Sequence, residues 1–177
     1  MKLSDSRSID AAPALVWDAI LDPQVLRACI PGCESLTGSV EDGYEAVVRQ
    51  KVGPVSATFT GLVRLSDIIP GQSLTISGEG KGGAAGHAKG SAAVRFDAQG
   101  AGTLLTYDVD AAVGGKLAQL GSRIIDGFAK KLADEFFTRF QAAVEAGEAD
   151  AAAPEEGAAP DETGTSKKGW FRRMIGG

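Results

Sequence analysis

The sequence predicts an α+β fold, in which a curved antiparallel sheet of about seven strands surrounds a long C-terminal helix and two short helices follow the first strand. Three observations carry this prediction. Apolar and polar residues alternate for about 80 residues after Pro31-Gly32. From Lys116 to about Ala146 the apolar residues recur every three or four positions instead. Turn residues divide the alternating region into strands joined as a meander.

The N-terminal region predicts one strand and two short helices. Residues 2–10 form the expected strand. Pro13 opens the first helix, because proline suits the first helical position. Asp22-Pro23 interrupts that helix, and a second helical segment from Gln24 to Cys29 follows it.

The strands that follow have one inward and one outward face. The turns between them are Glu41-Asp42-Gly43, Pro70-Gly71 and Gln99-Gly100. Because successive side chains of a strand point to opposite faces, the alternation assigns the inward residues. The inward set mixes bulky residues with unusually small ones, and consists of Ala46, Val48, Gln50, Val52, Phe59, Gly61, Val63, Leu65, Gly90, Ala92, Val94, Phe96, Leu105, Tyr107 and Val109.

The region from Lys116 to about Ala146 predicts one long amphipathic helix. Its apolar stripe needs a partner, which the inward face of the sheet supplies. The stripe consists of Leu117, Leu120, Ile124, Phe128, Leu132, Phe136 and Phe140. The polar face carries Arg123, Lys130, Lys131, Asp134 and Arg139.

Charge divides the chain into three pieces, which we interpret as a domain, a linker and a tail. Residues 1–147 hold 14 Lys and Arg against 17 Asp and Glu, and form the predicted domain. Residues 148–166 hold six acids and no base, among small residues and prolines. Such a composition cannot form a core, so it predicts a disordered acidic linker. Residues 167–177 hold four bases and no acid.

The tail predicts an amphipathic, basic segment that binds an anionic membrane surface. On a helical projection its apolar residues fall within one arc, and most of its bases fall outside that arc. Bases are attracted to anionic headgroups, and aromatic residues insert at the interface. Docking to a partner protein and an end without function are the alternatives. The predicted membrane-binding residues are Lys167, Lys168, Trp170, Phe171, Arg172, Arg173, Met174 and Ile175.

Composition excludes several classes of protein. No apolar run approaches the roughly 18 residues that span a bilayer, and the first ten residues lack the apolar region of a signal peptide. We therefore expect a cytoplasmic protein, associated peripherally with the inner face of the cytoplasmic membrane. The mildly acidic domain does not suit nucleic acid as a partner. Cys29 and Cys33 are too few for a disulfide scaffold and are interpreted as reduced thiols.

Short motifs in the first sixty or so residues carry a family resemblance. They are Ala12-Pro13, Val16-Trp17, Leu21-Asp22-Pro23, Leu26, Cys29-Ile30-Pro31-Gly32-Cys33-Glu34, Val52-Gly53-Pro54-Val55 and Phe59-Thr60-Gly61. These motifs resemble the family of the carbon monoxide dehydrogenase G subunit. The order of elements resembles the helix-grip arrangement of the START-like, Bet v 1-like (SRPBCC) superfamily, over about residues 1–146.

The resemblance implies a helix-grip fold and an accessory or carrier role. Family members are associated with the maturation or membrane recruitment of a molybdenum carbon monoxide dehydrogenase or a related hydroxylase, which is the partner that the resemblance implies here. It brings no catalytic motif and names no ligand.

The space between the long helix and the bent sheet is the best candidate site. Small inward residues leave apolar room there unless larger neighbours fill it as ordinary core, and both alternatives stay open. Gln50 and Tyr107 are candidates to donate to a ligand carbonyl, with a backbone partner as the alternative for Gln50. The predicted cavity residues are Val48, Gln50, Phe59, Val63, Phe96, Tyr107, Leu117, Leu120, Ile124 and Phe128.

Other residues that could carry chemistry give weaker signals. Residues 77–91 hold six glycines without a phosphate-loop pattern, and predict a mobile hairpin near the cavity. His87 is the only histidine, and together with Cys29 and Cys33 it does not make up a metal-ligand set. We predict no metal site, no catalytic residues and no covalent cofactor.

These observations lead to one predicted function and two alternatives. We predict a non-enzymatic accessory protein that binds an apolar small molecule and touches the cytoplasmic membrane. Because the partner dehydrogenase must pass electrons on and the membrane stores quinone, a respiratory quinone is the expected ligand. One alternative is a membrane-recruitment or maturation adaptor without a ligand. The other is a cyclase or hydrolase, which START-like folds also host and which needs an acid or base inside the cavity.

Overall fold

The computed structural model of the protein describes residues 1–158, which form one sheet, four helices and a single 3-10 turn at Gly83–Ala85. The strands are β1 (Lys2–Ile9), β2 (Cys33–Ser39), β3 (Gly43–Val52), β4 (Val55–Ile69), β5 (Ser73–Lys81), β6 (His87–Gln99) and β7 (Gly102–Gly114). The helices are α1 (Pro13–Leu21), α2 (Pro23–Cys29), α3 (Lys116–Gln119) and α4 (Ser122–Ala158).

All the strands belong to one antiparallel sheet in the order β1-β7-β6-β5-β4-β3-β2. Strands β2 to β7 form the predicted meander, and β1 pairs with β7. The alternation assigned the faces correctly. On β6, for example, Val94 and Phe96 are buried while Arg95 is exposed. The predicted α+β fold, with a curved sheet around a C-terminal helix, is confirmed.

The first short helix begins where the sequence placed it, and the second begins at Pro23, one residue before the predicted start. Pro13 is the first residue of α1. The Asp22 side chain accepts a hydrogen bond from the backbone N–H of Gln24 at 2.9 Å, which caps α2 at its N terminus. Proline at Pro23 fits the first helical position, where its missing N–H costs nothing.

The predicted C-terminal helix is interrupted near its start. Helix α3 ends at Gln119, and Gly121 adopts a φ of +91° before α4 begins at Ser122. The prediction of one continuous helix from Lys116 is therefore wrong. The apolar spacing continues across the break, but a left-handed backbone conformation cannot continue a right-handed helix.

The buried residues of α4 differ from the predicted stripe at its start. Ile125, Phe137, Phe140 and Val144 lie in the core. Ile124, which the spacing placed in the apolar stripe, is 40% exposed. Near the start of α4 the neighbouring Ile125 takes the buried position instead.

Helix α4 is longer than predicted and runs to Ala158. Residues 148–158, expected to be disordered, are helical, which corrects that part of the predicted linker. Alanine and glutamate dominate this stretch and are strong helix formers. Residues 159–166 of the linker and the tail at 167–177 lie outside the described residues. The division into domain, linker and tail stays a prediction.

Buried apolar side chains form two clusters on the inward side of the sheet. The large cluster packs α1, α2 and the middle of α4 against the sheet, and holds Val16, Leu105 and Phe140, all fully buried. The small cluster lies where β3 turns into β4 and where α3 follows β7. Its buried residues are Val52, Leu117 and Ile125.

Candidate ligand cavity

Glycines line the sheet between the two clusters. Gly61 of β4 pairs with Gly80 of β5, and Gly78 of β5 pairs with Gly90 of β6. The alternation places all four on the inward face of the sheet. Four neighbouring inward positions therefore carry no side chain, and the apolar cavity expected between them and α4 stays a prediction.

Apolar residues around these glycines are incompletely buried. Val48, Val63 and Leu132 are half-buried and belong to neither cluster. A side chain packed in a closed core reaches nearly zero exposure, as Leu105 does. The partial exposure of these three residues is consistent with a space that side chains do not fill.

The predicted cavity residues are distributed over both clusters and the space between them. Two are buried in the large cluster, Phe96 and Tyr107. Four belong to the small cluster or pack against it, namely Leu117, Phe59, Leu120 and Phe128. Three are half-buried on the inward face of the sheet, namely Val48, Gln50 and Val63. Ile124 lies on the exposed side of the first turn of α4. Their contact with a ligand stays a prediction.

Gln50 has a backbone partner. Its Nε2 donates a hydrogen bond to the carbonyl oxygen of Pro31. The backbone N–H of Arg49 donates to the carbonyl oxygen of Gly32 at 2.9 Å, so two bonds hold the turn after α2 against β3. Gln50 thus has the backbone partner that the sequence analysis gave as the alternative to ligand binding. Its amide nitrogen carries a second hydrogen that this bond does not use.

An ion pair that the sequence analysis missed joins α4 to the edge of the sheet. Nη2 of Arg7 donates to Oδ1 of Asp134. The guanidinium carbon lies 5.6 Å from the centre of the Phe137 ring, and Nε is buried without a partner. The alternation contained the signal, because Leu3, Arg7 and Ile9 are the shielded residues of β1 and share its inward face.

The ion pair sets the protonation states around it. Hydrogen bonds from Arg7 and then from Lys130 lower the pKa of the Asp134 carboxyl. Tyr107 stacks on Phe137 with ring centres 4.8 Å apart, and burial raises the pKa of its hydroxyl more strongly than the neighbouring Arg7 lowers it. At neutral pH the cluster therefore contains a carboxylate, a guanidinium and a neutral phenol.

Tyr44 is another inward polar residue that the sequence analysis left out. It is 4% exposed, and its hydroxyl donates to the carbonyl oxygen of Leu21 at 2.7 Å. Burial raises the pKa of this hydroxyl, and nearby Glu41 adds to the effect. The bond fastens the end of α1 to β3, so Tyr44 is engaged in holding the fold.

The thiols lie around the turn after α2, where Cys33 pairs with Val48 of β3, and the imidazole lies at the start of β6. Cys29 is 1% exposed, and Cys33 donates through Sγ to the carbonyl oxygen of Ser35 at 3.3 Å. Burial raises the pKa of both thiols, which disfavours the reactive thiolate. His87 is exposed and lies over Gly114. Within residues 1–158, no group of three or more His, Cys, Asp or Glu is placed to hold a metal ion.

The glycine-rich connection between β5 and β6 covers one end of the space. A Cβ on Gly82 would lie 2.3 Å from the Phe59 ring, and a Cβ on Gly86 would lie 2.0 Å from the carbonyl oxygen of Gly114. Ala85 in the same connection is 6% exposed. The connection thus packs closely on the small cluster, and its predicted mobility stays a prediction.

The opposite face of the sheet carries a separate depression of about 700 Å³. Its lining includes outward side chains of Leu62, Arg64, Glu79 and Lys89. Gly78 and Gly90 also line it, so the missing side chains of these two glycines coincide with a depression on the outward face, and none of the predicted cavity residues lines that depression.

Comparison with protein families shows where the chain belongs. The model of the family CoxG, the G subunit of carbon monoxide dehydrogenase, matches residues 6–145. The chain belongs to this family. The match begins within β1 and ends in the part of α4 that packs on the sheet, so it covers the whole helix-grip domain. No curated protein matches the chain.

Solved structures share the fold of this CoxG-family chain. A conserved protein from Geobacillus kaustophilus is 29% identical with a TM-score of 0.76, over 82% of this chain and 95% of that one. A protein from Thermus thermophilus is 13% identical with a TM-score of 0.61, over 83% and 99%. Ara h 8.0201 is 11% identical with a TM-score of 0.58, over 82% and 98%. The last two show the fold alone, which is Bet v 1-like.

Membership of the CoxG family indicates an accessory role beside a carbon monoxide dehydrogenase. Such a role is consistent with a protein that is not itself an enzyme. Among the helices within residues 1–158, none combines the length and the apolar character that crossing a bilayer requires.

Proposed function

We propose that this protein carries an apolar ligand, a respiratory quinone, for a molybdenum carbon monoxide dehydrogenase-type enzyme, and that its tail holds it at the anionic inner face of the cytoplasmic membrane. The observation that carries the proposal is the divided core. The buried apolar residues form two clusters, and four inward glycines of β4, β5 and β6 carry no side chains, which supports an apolar space between α4 and the sheet. An apolar guest would fill that space.

Quinone fits this space by its chemistry. A dehydrogenase must release electrons to an acceptor, and a quinone is a membrane-stored acceptor with an apolar body and carbonyl oxygens. The second donor hydrogen on Nε2 of Gln50 and the hydroxyl of Tyr107 are inward groups that suit such a carbonyl. A carrier that removes quinone from the bilayer would bring the acceptor to the enzyme.

Catalysis by this domain is the weaker interpretation of the same geometry. A cyclase or hydrolase needs an acid or base that is free to exchange a proton with a substrate. The Asp134 carboxylate is bound to Arg7 and Lys130, and the hydroxyl of Tyr44 is bound to Leu21. These groups are engaged in protein contacts that hold α4 and α1 in place.

The tail supplies the membrane contact in this proposal. Four bases at Lys167, Lys168, Arg172 and Arg173 accompany two adjacent aromatic residues, Trp170-Phe171. Each base near an anionic surface contributes about 1 kcal/mol, and aromatic rings favour the interface. Because ordering a short segment offsets part of this gain, we expect reversible binding that salt weakens.

Vesicle sedimentation followed by solvent extraction and mass spectrometry tests both parts of the proposal. The full chain and a chain ending at residue 166 are mixed with anionic vesicles with and without quinone. We expect the full chain to sediment, the shortened chain to stay in solution, and quinone to be extracted with the soluble protein. Equal sedimentation of both chains with nothing extracted would leave an adaptor without a ligand.

A matched pair of variants tests the cavity itself. A Cβ on Gly61 would lie 3.5 Å from its nearest neighbour, so Gly61→Leu fits the backbone and fills the space between α4 and the sheet. Thr60→Leu adds the same side chain to the outward face of the same strand. We expect Gly61→Leu to lose the extracted quinone and Thr60→Leu to retain it. Equal recovery from both variants would place the ligand elsewhere.

A further inference from the structure

Charges separate between the two ends of the domain. The end formed by the β3–β4 turn, the β5–β6 connection and α3 carries exposed bases, and we call it the basic end. Its bases are Lys51, Lys81, Lys116 and Arg123. Among the described residues, none of these four lies within ion-pair distance of a carboxylate. The nearest acids along the chain are Glu79 and Asp126.

The opposite end of the domain is acidic. It is formed by the β2–β3, β4–β5 and β6–β7 turns, the start of α1 and the part of α4 near Glu145. Its acids are Asp10, Glu41, Asp42, Asp67, Asp97, Glu145 and Glu148. Two of them bind the chain around α1, since Glu145 accepts from the N–H of Asp10 and Glu148 from that of Ala12. The domain is therefore polarised along α4.

An exposed apolar side chain lies at the basic end. Ile124 is 40% exposed and follows Arg123 directly. Its Cγ2 would lie 3.5 Å from a Cβ on Gly53, so the side chain rests on the β3–β4 turn. Pro54 adds an exposed apolar residue to that turn, and the half-buried Val55 beside it packs on the small cluster. Unpaired bases thus surround a small apolar protrusion.

We propose that the basic end is a second membrane-contact site, which docks on an anionic lipid surface with Ile124 and the β3–β4 turn inserted at the interface. Charge complementarity selects this occupant, because the bases are unpaired and the other end of the domain would be repelled from the same surface. Apolar side chains ringed by bases are the pattern of interfacial binding. The inference deepens the proposed function and rests on it, since this end adjoins the small cluster through which an apolar ligand would pass.

Full-length variants with a disabled tail test the inference. Trp170→Ser/Phe171→Ser weakens the tail contact, and Lys116→Glu/Arg123→Glu is then added. Each base near an anionic surface strengthens binding about fivefold, so we expect at least about a 25-fold loss of affinity for phosphatidylglycerol-containing vesicles. Lys131→Glu/Arg139→Glu makes the same charge change further along α4 and should alter affinity less than about twofold.

A fluorescent label locates the contact. An environment-sensitive dye is attached to Ile124→Cys, or to Ile69→Cys at the acidic end, in full chains that carry Cys33→Ser. Both isoleucines are exposed, at 40% and 51%. We expect a blue shift with anionic vesicles at position 124 and none at position 69. Equal shifts at both positions would overturn the proposal.

The membrane contact of the basic end can be tested independently of quinone binding. Vesicles of phosphatidylcholine and phosphatidylglycerol without quinone are sufficient for both measurements, so failure to extract quinone does not affect them. Unchanged vesicle affinity in Lys116→Glu/Arg123→Glu would overturn the proposal and leave an acidic protein surface as the occupant of the basic end.

Discussion

Arg7 is the residue whose surroundings determine how α4 is attached to the sheet edge. It lies within 3.7 Å of the Asp5 carboxylate, donates to Asp134 and faces the Phe137 ring. Shielding a cation from water costs folding free energy unless an anion compensates its charge. The carboxylates of Asp5 and Asp134 therefore stabilise the fold by pairing with Arg7. Removing Asp134 would leave the guanidinium with Asp5 alone as an anionic partner.

We predict that Asp134→Asn lowers stability at neutral pH and that acid removes the difference. Because the pKa of Asp134 is lowered in the folded protein, its carboxylate stabilises the fold above its unfolded pKa, and this contribution is lost as the pH falls through the folded value. The urea midpoint of the variant should therefore lie below that of the parent at pH 7, and the difference should begin to shrink at about pH 4 and vanish only below the lowered pKa of Asp134.

Asp126→Asn is the control for this prediction. It removes an exposed carboxylate from the same helix, and among the described residues Asp126 forms no ion pair. Its urea midpoint should follow that of the parent at every pH. A gap between Asp134→Asn and the parent that persists unchanged in acid would show that the carboxylate charge is not what stabilises Arg7.

Gly121 separates α3 from α4 through its backbone conformation. Gly121 has a φ of +91°, and a Cβ there would meet nothing within 4 Å. The requirement for glycine is therefore conformational and not steric. Gly127, within α4, also has open space around it but has an ordinary helical backbone.

We predict opposite effects of the same substitution at these two glycines. Gly121→Ala should destabilise the protein by roughly 1 kcal/mol, because a side chain disfavours the left-handed conformation. Gly127→Ala should stabilise it by about 0.5–1 kcal/mol, because alanine has the higher helix propensity. Denaturant unfolding of the two variants measures both effects. Stabilisation by Gly121→Ala would mean that α3 and α4 form one helix in solution.

The sequence analysis predicted strands and helices correctly where a single local pattern determines the secondary structure. Period-two alternation placed Phe96 and Tyr107 inward, Pro13 marked the start of α1, and Asp22-Pro23 marked the boundary between α1 and α2. It failed where a local pattern has two structural solutions. The apolar spacing is compatible with a helix through Gly121 or restarting after it, and only the contact with the sheet selects one.

The candidate site was harder to predict than the fold. The sequence analysis left Arg7 out, because its partner Asp134 lies 127 positions away along the chain. Gln50 was recognised as inward, but its bond to Pro31 depends on the turn after α2 folding back on β3. Contacts between distant segments decide such cases, and a single sequence does not display them.

The molecule as a whole has a core of uneven strength. The large cluster unites three helices with the sheet, whereas the small cluster contains fewer buried residues and adjoins half-buried Val113 and Leu120. Local opening costs least where few apolar contacts must break. The end near α3 should therefore open more readily than the end near α1.

Native-state hydrogen exchange tests this difference. We predict that the amides of Leu105 and Tyr107 exchange only through global unfolding, and that those of Ala85 and Leu120 exchange through local opening at least about tenfold faster. Ligand-loaded protein should show slower exchange at the second pair. Uniform protection at both ends would contradict an uneven core.

Helix α4 also sets the distance between the two ends of the domain. Its rise of 1.5 Å per residue separates Ser122, at the basic end, from Ala146, beside the acidic end, by about 36 Å. A chain held at a bilayer by its last residues would keep the domain at an effective concentration near the millimolar range. The tethered domain would rotate, so that its basic end contacts the lipid in one orientation. In the opposite orientation the same end would face an enzyme on the side away from the bilayer. Linker length would thus set the frequency of exchange between bilayer and enzyme.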